Sequence, residues 1–162
     1  MVPLKTRNDM SLAVRTRMAA LLNDRLADAI DLQLQAKQAH WNVKGPQFIS
    51  LHELFDQVAD TAIASADLIA ERLVALGGRA EGTLQSVAGR TTLTPYTLTL
   101  LDGSDHVKEL AGAIAAAGRG TRAAIDQADE AGDQGTSDLF TQITRDLDKM
   151  LWFVEAHVQA SH

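Results

Sequence analysis

Five residues have types and spacings that suit metal ligation: His40, His52, Asp56, Asp67 and Glu71. Imidazole nitrogen and carboxylate oxygen without sulfur suit iron, zinc or manganese rather than a soft copper(I) ion. The chain contains no cysteine, which excludes thiolate sites and disulfides and fits a reducing compartment. No Glu-x-x-His pair occurs anywhere, which counts against a two-metal centre built from such pairs inside one helical bundle.

Four of the five fall in "LHELFDQVADTAIASADLIAERL", a segment with a helical apolar stripe. Phe48, Leu51, Phe55, Val58, Ala62, Ile69, Leu73 and Leu76 recur at spacings of three, four or seven, so one face looks toward a core. At 100° per residue, His52, Asp56, Asp67 and Glu71 occupy a sector about 100° wide beside that stripe. A solvated polar face would account for four polar residues. Two features point elsewhere. Ile63 and Val74 share the sector, with Ala59 and Ala70 beside them, as in a subunit interface. No lysine or arginine between His52 and Glu71 neutralises the acids.

Distance then decides how many chains are needed. The His52/Asp56 and Asp67/Glu71 pairs lie about 22 Å apart along a helix, whereas ligand bonds are about 2 Å long. One helix cannot bring both pairs to one ion. Two copies packed antiparallel about a two-fold axis between Thr61 and Ala62 can, and they make two equal sites. The residues around that axis, "DTAIASA", are mostly small. His40 completes each set from the end of the preceding helix.

The elements that must position these residues are legible. Leu and Ala dominate, aromatics are scarce, and glycines and prolines cluster between long periodic segments, which reads as all-α. A chain of 162 residues suits one domain with a full core. The expected organisation is a short tail over residues 1–9 and a helical bundle over 10–160. A first helix starts near Asp9 or Ser11 and ends near His40, before "NVKGP". Pro46 is expected in the first turn of the second helix, which Gly77-Gly78 terminates. Residues 79–101 form a long crossover, for which a loop with a short helix is preferred to a strand in "TTLTPYTLTL". The third helix runs from about Ser104 to Ala131, interrupted in propensity by Gly112, Gly118 and Gly120. Thr136 or Ser137 is expected to cap the fourth. A four-helix bundle with one long crossover follows.

Composition limits the function classes. The first residues, "MVPLKTRND", hold no apolar run suited to a signal peptide. No stretch nears the roughly 20 apolar residues that span a bilayer. A net charge of −6 is no general magnet for nucleic acid. The expectation is a soluble cytoplasmic chain.

"KQAHWNVKGPQFISLHELFD", "DLIAERLVALGG" and "RDLDKMLWFVEAHV" resemble the Dps proteins, the DNA-binding proteins from starved cells, also called miniferritins. The similarity runs from about Asn8 to Val158. The spacing His40-x11-His52-x3-Asp56-x10-Asp67-x3-Glu71 is its specific part. The resemblance implies ferritin-like subunits in a hollow dodecamer. It implies ferroxidase centres shared across two-fold dimers, with these five residues as iron ligands. It further implies Fe(II) oxidation, preferably with hydrogen peroxide, storage of Fe(III) mineral and suppression of hydroxyl radicals. Trp41 would intercept stray oxidising equivalents beside His40, or simply pack, as Trp152 would. Acidic pores that admit iron match "DQADEAGDQGTSD". Asp133 and Asp138 are the foremost lining pair, with Asp129 and Glu130 beside them, although aspartates there are also ordinary helix caps. Weak DNA binding at low salt would use Lys5, Arg7, Arg15 and Arg17, and nucleoid association would follow from it. The competing readings are a DNA-compacting nucleoid protein with minor metal chemistry and a plain helical scaffold.

Overall fold

A computed structural model describes residues 4–160 of the chain. It contains α1 (Leu12–Asn42), α2 (Phe48–Ala75), a short α3 (Leu84–Ala88), α4 (Gly103–Glu130) and α5 (Gln134–Gln159). Helices α1 and α2 pair through one tight turn, and α4 and α5 through another. The two pairs pack as α1 on α4 and α2 on α5, while α3 lies on α1. The all-α expectation and the long crossover are both realised.

The apolar stripes form one core. Leu22, Leu32, Leu51, Phe55, Ile69, Leu73, Leu110, Ile114, Phe140 and Ile143 are fully buried within it. Leu151 and Ile125 are only partly buried at its margin. Ser11 caps α1 by accepting from the Val14 N–H at 3.2 Å.

Two boundaries differ from expectation. Pro46 lies in the turn before α2 rather than within its first turn, because Gly45 takes φ +112° and Gln47 becomes the N-cap. Asp133, not Thr136 or Ser137, caps α5, accepting from the Thr136 N–H at 3.0 Å. The crossover helix falls at Leu84–Ala88, ahead of the Thr-Leu stretch.

That stretch is no strand. Its first threonines serve α1 instead, and Thr97 bonds Glu109 of α4. Asp28 accepts from the Thr92 N–H at 2.7 Å, and Asp31 accepts from the Thr91 hydroxyl at 2.7 Å. Farther along, Gln35 donates to the Thr94 carbonyl at 3.1 Å. Nearer the start of the crossover, Asn23 donates to the Arg79 carbonyl and accepts from the Glu81 N–H. Arg90 ties Asp24 to Glu81. The backbone of a long connection is thus satisfied by side chains of the helix it crosses.

Residues expected to form a free tail are partly anchored. The Leu4 N–H donates to the Gly77 carbonyl at 2.6 Å. Gly77 ends α2 at φ +85°, and a Cβ there would lie 2.7 Å from the Leu4 carbonyl oxygen. Glycine is required by conformation and by contact.

Candidate metal centre

His40 and His52 meet where α1 ends and α2 begins. Their rings stack, with centroids 3.7 Å apart and planes 20° from parallel. Each Nδ1 lies against the other residue's carbonyl: His40 Nδ1 is 2.7 Å from the His52 oxygen, and His52 Nδ1 is 2.8 Å from the His40 oxygen. A carbonyl can only accept, so both Nδ1 atoms carry protons and donate. In neutral rings the remaining lone pair is therefore on Nε2 in both, the arrangement a metal-binding histidine requires.

A helix terminus explains the bond that His52 donates. The His40 carbonyl lies in the last turn of α1, where carbonyls lack helical partners. The amide that would serve it, that of Lys44, donates instead to the Leu101 carbonyl at 2.8 Å. His52 supplies the missing donor. Both histidines are half-buried.

Asp56 lies one turn beyond His52. Lys37 Nζ reaches its Oδ1 at 2.5 Å, and His40 Nδ1 is 4.0 Å from the same oxygen. The Lys37 hydrogen bond, followed by the neighbouring imidazoles, holds the Asp56 carboxyl below its ordinary range. The carboxylate is thus a ready anionic ligand whose present partner is a displaceable ammonium. The three residues sit side by side, yet no three His, Asp or Glu side chains converge on one point among the described residues.

Asp67 and Glu71 stand apart on the same helix, both exposed. Around them the surface is apolar. Ile63, Leu68 and Val74 are 48%, 41% and 56% exposed. Asp67 borders a shallow groove floored by Leu26, Ile30, Ala66 and Ala70. One chain therefore carries two separate sets of candidate ligands on a face with no covering element among the described residues. Trp41 projects from the end of α1 and is 62% exposed, so it packs no core of its own chain; Trp152 is similarly exposed, edged against Phe153.

Over its whole length this architecture is shared with known proteins. The ferritin-like domain family matches residues 19–161. The DNA protection during starvation protein of Agrobacterium fabrum is 48% identical over 155 residues, covering 96% of each chain. This chain belongs to the Dps family. Among solved Dps structures, DpsA14 from Streptomyces coelicolor superposes with a TM-score of 0.93 at 34% identity, covering 99% of this chain and 95% of that one. Dps from Microbacterium arborescens, solved in a high iron form, superposes with a TM-score of 0.86 at 34% identity, covering 96% and 99%.

Other expected residues divide between surface and interior. Asp138, Asp129 and Glu130 are exposed at the α4–α5 corner. Glu130 pairs with Arg17 at 3.1 Å, and Asp129 accepts from Gln134. Asp133 is a correction, because its side chain turns inward and is 2% exposed. It accepts from Arg72 at 2.6 Å and from the Thr136 hydroxyl at 2.6 Å, so within the chain it is a cap and an ion-pair partner rather than a pore-facing acid. Arg15 is a second correction. It is buried and its Nε and Nη1 donate to the carbonyls of Met10, Leu4 and Leu76, so most of its guanidinium serves the chain's own backbone. Lys5 and Arg7 are exposed. Lys37 and Arg72 went unanticipated. Lys37 lies three residues before His40, and that helical spacing was the available signal.

Proposed function

We propose that this Dps-family chain oxidises Fe(II) with hydrogen peroxide at centres shared between two chains and stores the Fe(III) product inside a closed homo-oligomer. One observation carries the reading. His40 and His52 are locked in the tautomer that leaves Nε2 free, while complementary carboxylates lie about 22 Å away on the same uncovered face. An antiparallel second copy supplies Asp67 and Glu71 to each His40/His52/Asp56 set. The donor chemistry, two imidazoles and three carboxylates, fits iron. Exposed Ile63 and Val74 supply the apolar area such a contact needs.

Iron is the substrate. Two Fe(II) ions each give one electron to one peroxide, which takes up two protons and leaves as two waters. The chain's residues hold the ions together so that both electrons reach the same peroxide and no hydroxyl radical is released. Lys37 gives up Asp56 as the cation arrives, exchanging one positive partner for another. Asp138, Asp129 and Glu130 form the acidic surface that would line iron-admitting pores in a twelve-subunit shell. DNA is protected chiefly by removal of radicals. Direct binding is a lesser contribution, since Arg15 is occupied and Arg17 faces Glu130. A cytoplasmic setting fits the absence of cysteine.

The test is an anaerobic Fe(II) titration of the purified assembly followed by peroxide, with ferrous ion read by a chelator and radicals by a spin trap. The expected result is loss of two Fe(II) per peroxide with little spin adduct. A His40→Asn/His52→Asn variant that assembles normally and oxidises iron at the same rate would overturn the assignment.

A further inference from the structure

The chain has a single tyrosine, and the fold buries it. Tyr96 lies in the crossover against the start of α4. Its phenol oxygen is 2.7 Å from Nδ1 of His106. That nitrogen is the phenol's only hydrogen-bond partner among the described residues, so the O–H donates and the imidazole accepts. His106 is 1% exposed, and its Nε2 is buried without a well-formed hydrogen bond. A phenylalanine and a leucine would fill this space without burying two polar groups, so the pair is costly for packing alone.

A run of rings leads from the pair toward the proposed metal ligands and ends at Phe55. Tyr96 and His106 have centroids 6.0 Å apart, and His106 and Phe55 are 6.3 Å apart. Phe55 adjoins Asp56 and lies one helical turn from His52, whose ring stacks on His40. The local electrostatics suit a proton hand-over. Burial holds the His106 imidazole below its ordinary range, so it rests neutral, while the Leu100 carbonyl and the acids Asp105, Asp102 and Glu109 favour its protonated form. Burial, and then Glu109, push the Tyr96 phenol upward, so it keeps its proton at rest.

We infer that Tyr96 is an electron reserve for the iron-oxidising centre and that His106 receives its proton. The inference rests on the function proposed above. When a centre holds only one Fe(II), peroxide obtains one electron from the iron and lacks the second. Tyr96 supplies it: the phenol O–H bond breaks, the proton moves to Nδ1 of His106, and the electron goes to the peroxide. With two protons from solvent, two waters leave. The products are one Fe(III), one neutral tyrosyl radical and one imidazolium. A later Fe(II) returns an electron to the radical, and His106 returns the proton. Without the reserve, the one-electron product of peroxide is hydroxyl radical.

The experiment uses the full-length assembled protein, loaded anaerobically with less than one Fe(II) per centre. Peroxide is added, samples are frozen for electron paramagnetic resonance, and ferrous ion is followed by a chelator in parallel. The expected result is loss of Fe(II) with a radical signal that narrows in protein grown on ring-deuterated tyrosine. With one tyrosine, the narrowing assigns the signal without any substitution. Tyr96→Phe should abolish that signal and raise spin-trapped hydroxyl radical severalfold. His106→Gln, which cannot take the proton, should lower the radical yield. Fe(II) loss with no deuterium-sensitive signal, or equal spin adduct from Tyr96→Phe, would overturn the inference. If the chelator shows no Fe(II) oxidation at all, the parent function fails and takes this inference with it.

Discussion

The proposed sharing of ligands between two copies makes a numerical prediction. A His52→Asn chain lacks a ligand from one half-set, and a Glu71→Gln chain lacks one from the other. Homodimers of either variant have two impaired centres. If the two chains are unfolded together and reassembled at equal amounts, about half of the dimers are mixed by random pairing. In each mixed dimer one centre combines the intact His52 of one chain with the intact Glu71 of the other, and its neighbour carries both lesions. One intact centre in two, in about half of the dimers, restores about one quarter of wild-type activity. The assay is the initial rate of Fe(II) loss at saturating peroxide, with each homo-oligomer taken through the same unfolding as a control. The separation of about 22 Å along α2 is what makes the number informative. A mixture no more active than the mean of its parents would refute ligand sharing.

Three further perturbations test how the chain is held together. Asp133→Ala removes the α5 cap and strands the Arg72 guanidinium, and it should cost about 2–4 kcal/mol in denaturant unfolding at fixed protein concentration. Asp133→Asn keeps a cap and should lose less. Gly77→Ala places a Cβ 2.7 Å from the Leu4 carbonyl at φ +85°, so it should cost about 1–3 kcal/mol and release residue 4 to proteolysis. Gly132→Ala, at φ +75° in open space, should cost only the conformational part, about 1 kcal/mol. His106 supplies a pH dependence. Its imidazole is held below the ordinary 6.5, so the unfolded chain binds the proton more readily. Stability from this group is complete above that value and is lost as pH falls through the folded one. Between pH 7 and pH 5, His106→Gln should therefore show a smaller drop in melting temperature than wild type.

The large features were legible because they rest on periodicity and on strong local signals. The stripe from Phe48 to Leu76 located α2, and Gly77 located its end. The cap of α1 was legible as Asp9 or Ser11, and Ser11 fills it. Features that depend on the phase of one helix against another were not legible. Lys37 could be put on the face of His40, but its contact with Asp56 requires knowing how α1 crosses α2. Arg15 read as surface charge because nothing local shows that three carbonyls from separate segments will surround its guanidinium. Asp133 read as a pore acid or a helix cap, and its inward turn was not legible because Arg72 is 61 residues away. At the candidate centre the ligand types and their axial spacing could be read, whereas the face-to-face histidines could not. One of their two bonds arises from an unpaired helix-end carbonyl, that of His40, a property of the corner and not of either residue.

Those paired bonds give the centre a second duty. Each imidazole that would grip iron also staples the end of one helix to the start of the next, so the ligand geometry is set before any ion arrives and little ordering remains to be done on binding. The cost is that chemistry and architecture share the same two side chains. An alanine at either position opens the corner as well as the coordination sphere, and lost activity could then reflect a sprung hinge. Asparagine, whose amide can still donate to the facing carbonyl while offering no imidazole nitrogen to the metal, separates the two duties.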